Sequence, residues 1–220
     1  MDPAFYFNRL YPFQDQVLQV IASTETGFYL TGGTALSRGY LNHRFSDDLD
    51  FFVNDKPEFS LWADRLTTQL NQSERWTMQV LLREDRFVRL NLTQSGVDLK
   101  IEMVNDVPSR VGEPWVHPVL KNIDTAENIL ANKITAALDR SEPKDIADIW
   151  GLCYRLNLSL TEAITGVQGK AVGVFPVDLA RVLCSVSLSD WQLVRWIQPP
   201  EPEVYVAQVN KLGNSLIFPR

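Results

Sequence analysis

Asp48 and Asp50 stand two residues apart at the mouth of an apolar, β-prone run, Leu49–Val53. Residues two apart on a strand share a face. Two carboxylates on one face repel each other unless a cation lies between them, so Mg²⁺ is the expected guest. Upstream, a second β-prone run, Phe28–Thr31, leads into Gly32-Gly33. A glycine pair after a strand lets the backbone turn sharply and approach a ligand closely. The helical pattern from about Thr34 points its free N–H groups back at that turn, a natural seat for phosphate. In this reading Gly32 and Gly33 cradle phosphates with backbone N–H groups, Thr34 and Ser37 add hydroxyls, and Asp47 faces away. Arg44 either binds phosphate or pairs with Asp47. The competing reading makes the glycines an ordinary turn and Ser46–Asp50 a capped loop.

The elements that must position these residues follow from periodicity. A helix is expected over Pro12–Glu25, where Phe13, Val17, Val20 and Ile21 recur at helical spacing, and another up to about Gln72. Three strands are expected over Thr77–Arg83, Phe87–Thr93 and Val97–Val104, joined by tight turns as an antiparallel meander. In the last of these, Asp98, Lys100 and Glu102 share one face, which read alone is a solvated sheet face. Residues 105–120 carry Pro108, Gly112, Pro114 and Pro118 and read as a linker. Beyond them the pattern is helical: about 125–138, 143–155, 160–165, 176–186, 189–196 and 204–212. Lys133 falls within the apolar stripe of the first of these helices, where an ammonium either snorkels outward or meets an anion. Asp145 and Asp148 lie one turn apart near the start of the next, where acids favour the helix dipole and Arg140 is a partner.

The 220 residues suffice for one large domain or two small ones, with a hydrophobic share of 45% and a charged share of 22%. The net charge is −6, and residues 1–120 carry 11 basic against 16 acidic side chains. A broad nucleic-acid face needs clustered basic residues, so only a small contact, such as an RNA end, is compatible. No run approaches the roughly 20 apolar residues that cross a bilayer, and the start lacks a signal-peptide pattern, so a cytoplasmic protein is expected. Cys153 and Cys184 form neither a disulfide framework nor a zinc site and are expected to be buried free thiols. Neither His43 nor His117 has a metal-ligand or triad spacing, and no G-x-S-x-G or Walker A motif is present.

Gly-Gly-Thr followed about a dozen residues later by Arg-x-Ser-x-Asp-x-Asp resembles the DNA polymerase β-type nucleotidyltransferases, and within them the AbiEii/AbiGii toxin-like branch. ENILANKITAALDRSEPKDIADI, residues 127–149, resembles that branch's lysine helix and its Arg…Lys-Asp-x-x-Asp element. Together these segments cover about a third of the chain. The resemblance implies an α/β core with a mixed sheet over residues 1–120, an all-helical domain over 121–220, and an active site in the cleft between them. It implies Asp48 and Asp50 as ligands of two Mg²⁺ ions, with Glu102 as third carboxylate and Asp98 as runner-up. Ser46 and Arg44 match the Arg-x-Ser element, Lys133 the triphosphate-binding lysine, and Asp145, or else Asp148, an essential acid.

The implied activity is transfer of a nucleoside monophosphate from an NTP to an acceptor hydroxyl. RNA, notably the tRNA 3′ end, is the implied acceptor, and a separately encoded antitoxin the implied partner. A nucleotidyltransferase acting on protein or a small molecule, and a non-catalytic nucleotide-binding module, are the alternatives.

Overall fold

Alternation of apolar and polar residues builds the sheet. The computed structural model describes residues 2–167 and 174–217. Its strands are β1 (Tyr29–Thr31), β2 (Leu49–Asn54), β3 (Thr77–Glu84), β4 (Phe87–Gln94), β5 (Val97–Asp106), β6 (Trp115–His117) and β7 (Lys121–Ile123). They form one mixed sheet in the order β3-β4-β5-β2-β1-β7-β6. β2 pairs with β5 in parallel, β1 with β7 in parallel, and the other neighbours run antiparallel. Leu49, Phe51 and Val53 of β2 and Leu99, Ile101 and Met103 of β5 are buried on one face, while the residues between them are half-buried or exposed on the other.

The helices of this unit are α1 (Pro3–Phe5), α2 (Tyr11–Ala22), α3 (Gly32–Leu36) and α4 (Phe59–Asn71), with one π-helical turn after α1 and another after α3. α2 buries Phe13, Val17, Leu18 and Ile21, and α4 buries Phe59, Ala63, Leu66 and Leu70. Burying such a stripe, rather than intrinsic propensity, is what stabilises helices of this length. The meander β3-β4-β5 is as expected. Its second turn places Ser95 and Gly96 at φ 51° and 72°, the left-handed pair that suits a tight right-twisted hairpin. The linker expectation for residues 105–120 is corrected: β5 continues to Asp106, and β6 forms a short hairpin with β7.

The chain divides into two compact units. The first holds residues 1–39, 46–108 and 113–124; the second holds 40–45, 109–112 and 125–220. The second unit is helical: α5 (Ala126–Arg140), α6 (Pro143–Arg155), α7 (Leu160–Val167), α8 (Pro176–Cys184), α9 (Leu188–Leu193) and α10 (Pro202–Ile217). Thr125 caps α5 by accepting the Asn128 N–H, and Ser141 ends it in the left-handed conformation. Trp150, Trp196 and Tyr205 meet edge to face at 5.5–5.9 Å and anchor α6 to α10. Both cysteines are free; Cys153 is half-buried, its thiol pushed up to about 12 by burial, whereas Cys184 is exposed, contrary to expectation. No helix among the described residues is long and apolar enough to cross a membrane.

One backbone position ties the fold to chemistry. Gly32 has φ +68°, and a Cβ placed there would collide with the Asp50 carboxylate. Gly96 has a similar φ of +72°, but a Cβ there would meet nothing within 4 Å. Both alanine variants incur the left-handed penalty of about 1–2 kcal/mol. Gly32→Ala is expected to lower the melting temperature by several degrees more than Gly96→Ala. Equal losses in the two variants would show that Asp50 is not held against the turn.

Candidate active site

The parallel register of β2 and β5 puts Asp50 directly beside Glu102 on the open face of the sheet. Asp48 precedes Asp50 on the same side, next to Lys100. The Lys100 ammonium lies 2.9 Å from Asp48 Oδ2 and 3.2 Å from Glu102 Oε1, so one cation bridges the carboxylate at the entry to β2 and one on β5. Burial works against its charge, but Asp48 and then Glu102 outweigh that and raise its pKa. From β4, opposite Glu102, Arg89 donates Nε–H to the same Oε1 at 2.9 Å. Asp98 stands one further step away from Glu102 along β5, where Thr93 and Asn91 donate to it and hold its pKa down.

The turn before these acids is fixed from several sides. α3 begins at Gly32, not near Thr34, so both glycines lie in its first turn. The Thr34 hydroxyl donates to the Asp48 carbonyl at 2.5 Å, and both Thr34 and Ser37 are buried. The Thr34 proton thereby ties α3 to the mouth of β2. Ser46 is buried as well. Its carbonyl and that of Asp47 accept from the fully buried Gln14 amide, whose oxygen in turn takes Arg38. Gln14 therefore holds the loop that leads into Asp48.

The second unit contains a different cluster. Asp148 is fully buried at the centre of α6 and takes a two-pronged bond from Arg44, Nε to Oδ1 and Nη2 to Oδ2, each 2.7 Å. Arg44 thus has a partner that neither expectation named. Lys133 lies 2.7 Å from Asp148 and 2.8 Å from Asp145, which also accepts from Arg140 at 2.8 and 3.1 Å. His43 Nε2 reaches Asp148 Oδ1 at 2.8 Å. The segment that carries His43 and Arg44 is itself pinned, because the His43 carbonyl accepts the Ile197 N–H and the Phe45 N–H donates to Arg195.

Burial alone would raise Asp148, but Arg44 and Lys133 hold its carboxyl well below the usual range. Burial alone would likewise lower Lys133, but Asp148 and Asp145 keep it charged. Burial lowers His43 more than Asp148 raises it, so the ring is neutral and gives Nε2–H to the carboxylate. Asp145 and Asp148 are therefore ion-pair centres and not merely dipole-favouring acids at a helix start.

Sequence reading missed Lys100, Gln14 and His43 as working residues. Lys100 was signalled, since it alternates with Asp98 and Glu102 on one face. Gln14 and His43 carried no local signal.

Among the described residues no three His, Cys, Asp or Glu side chains already form a closed ligand shell. Asp48 and Glu102 nonetheless fit a shared cation, because they share one in Lys100. Their oxygens are the hard donors that Mg²⁺ prefers. The Asp50 carboxylate rests over Gly32, in a space that any Cβ would fill.

An acid-lined mixed sheet that opens onto a Gly-Gly turn defines a nucleotidyltransferase-type core. Residues 17–165 match the family model of the AbiEii nucleotidyl transferase toxin of type IV toxin–antitoxin systems, and the chain belongs to that family and is a nucleotidyltransferase. It is 30% identical over 154 residues to an uncharacterized protein of Aquifex aeolicus (strain VF5), a match covering 65% of this chain and 66% of that protein, just under two thirds of its length. Its fold is similar to that of JHP933 from Helicobacter pylori, with TM-score 0.65 and 20% identity over 98% of this chain and 92% of that one. It is also similar in fold to MenT4, a nucleotidyltransferase toxin of Mycobacterium tuberculosis H37Rv, with TM-score 0.58 and 16% identity over 94% and 82%.

Removing one member of a buried ion network leaves the rest uncompensated, at a cost of about 3–5 kcal/mol. Lys133→Ala is therefore expected to lower the melting temperature by about 6 °C or more. Lys144→Ala, which breaks only an exposed pair with Glu142, is expected to change it little. A Lys133→Ala protein as stable as the wild type would contradict the network.

Proposed function

We propose that the protein moves a nucleoside monophosphate from an NTP to the 3′-terminal hydroxyl of an RNA, tRNA being the favoured class. In this reading it acts as a toxin restrained by a separately encoded antitoxin in the cytoplasm, where NTPs and tRNA are found. The observation that carries the reading is the sharing of one cation by Asp48 and Glu102, beside Asp50 and the Gly32-Gly33 turn. The net charge of −6 favours an acceptor gripped at its end over one bound along a broad surface.

Asp48, Asp50 and Glu102 would hold Mg²⁺. The bound metal would neutralise triphosphate charge and lower the pKa of the attacking hydroxyl. The acceptor oxygen forms a bond to the α-phosphorus while the bond to the β-phosphate oxygen breaks, and pyrophosphate leaves. Arg89 contacts Glu102 at Oε1, which leaves Oε2 to take the proton of the acceptor hydroxyl. Gly32 and Gly33 offer backbone N–H groups to phosphate oxygens. Lys133 uses two of its three ammonium protons on Asp145 and Asp148. Asp145 and Asp148, with Arg44, orient that ammonium.

The test is incubation with each α-labelled NTP, Mg²⁺ and total RNA. Label is expected in the small-RNA fraction. Asp48→Asn is expected to reduce it by at least about a hundredfold, the scale of one lost transition-state contact, with a change in melting temperature no larger than the loss of one partly exposed ion pair. Wild-type labelling by Asp48→Asn would contradict the assigned acids, and label confined to protein would contradict the RNA acceptor.

A further inference from the structure

Lys100 stands at the place a divalent ion would take. Its ammonium is within 3.2 Å of oxygens on both Asp48, the residue just before β2, and Glu102 of the neighbouring parallel strand β5. The bridge therefore joins β5 to the loop that enters β2, unlike a pair along one strand. A Mg²⁺ ion binds carboxylate oxygens at about 2.0–2.1 Å. It would draw the two acids closer together than the ammonium does, and like charge would expel the ammonium from between them. Lys100 can leave, because its side chain is 38% exposed and ends on a flexible four-carbon stem.

Resting on the metal-site reading above, we propose that Lys100 is a tethered counter-ion that holds the metal-free acids in register and competes with the divalent ion for Asp48 and Glu102. Metal arriving alone must displace an ammonium whose remaining acidic neighbour on that face of β5, Asp98, already accepts from Asn91 and Thr93. Metal arriving with a triphosphate brings negative charge that the released ammonium can meet. Lys100 thus biases the enzyme toward taking up metal together with nucleotide, and it is a positioning residue rather than a proton carrier.

The test measures binding of Mn²⁺ alone to the full chain, by electron paramagnetic resonance of the free ion, without nucleotide. Lys100→Met is expected to bind Mn²⁺ about fivefold more tightly than wild type, the combined effect of two partly exposed ion pairs. Lys100→Arg keeps the charge and is expected to bind like wild type. In chelator, Lys100→Met is expected to melt below wild type, and saturating Mn²⁺ is expected to close that gap. Unchanged or weaker Mn²⁺ binding by Lys100→Met overturns the competition, as does equal tightening by Lys100→Arg. Asp48→Asn separates this failure from failure of the metal site: if it binds Mn²⁺ as the wild type does, the site itself is misassigned.

Discussion

The parallel pairing of β2 with β5 is the constraint on which the rest depends. Successive side chains on a strand alternate between faces, so a slip of one residue would exchange the two sets. Here one set is Leu49, Phe51 and Val53 with Leu99, Ile101 and Met103, all buried. A slip of β5 would expose Leu99, Ile101 and Met103 and turn Asp98, Lys100 and Glu102 into the core, and a slip of β2 would expose Leu49, Phe51 and Val53 and turn Asp50 inward. The hydrophobic core therefore fixes the register, and the register brings Asp50 to Glu102 and Asp48 to Lys100. The chemistry of the open face follows from the packing of the closed one.

Both units hold carboxylates close together, and both use cations to do so, but the energetics differ. Asp145 and Asp148 are fully buried, so losing a partner leaves a charge in a medium that solvates it poorly. Asp48 and its partner Lys100 are each 38% exposed, and water screens such a pair to about 1 kcal/mol or less. The buried cluster is accordingly a fixed scaffold around Lys133. The open one is exchangeable, which a site that loads and releases metal requires. The same interaction type thus serves rigidity in one place and turnover in the other, and burial decides which.

The meander and the long helices were legible because their periodicities run for about eight residues or more, whereas the mixed sheet was legible only through the family resemblance. β6 and β7 were not, since three residues show no period and prolines mask them. The start of α3 was misplaced by two residues because a glycine at φ +68° gives no helical signal in sequence. The partner of Arg44 lies 104 residues away in sequence. A fork that pairs at such separation is decided by the tertiary fold, and adjacency to Asp47 was a poor guide. Asp98 and Glu102 both alternate onto the open face, so periodicity left them equivalent; only the pairing of strands distinguishes them. Lys133 illustrates the reverse case. Its place inside an apolar stripe left snorkelling and an anionic partner open, and the structure pairs it with two buried anions, Asp145 and Asp148.

The most direct test of the account compares Glu102→Gln with Asp98→Asn in the labelled-NTP transfer reaction at saturating metal. Each variant removes one carboxylate charge from the same face of the same strand. Register alone predicts that Glu102→Gln loses transfer by about a hundredfold or more while Asp98→Asn stays near the wild-type rate. Loss in Asp98→Asn with Glu102→Gln active would contradict the claim that strand register builds the site.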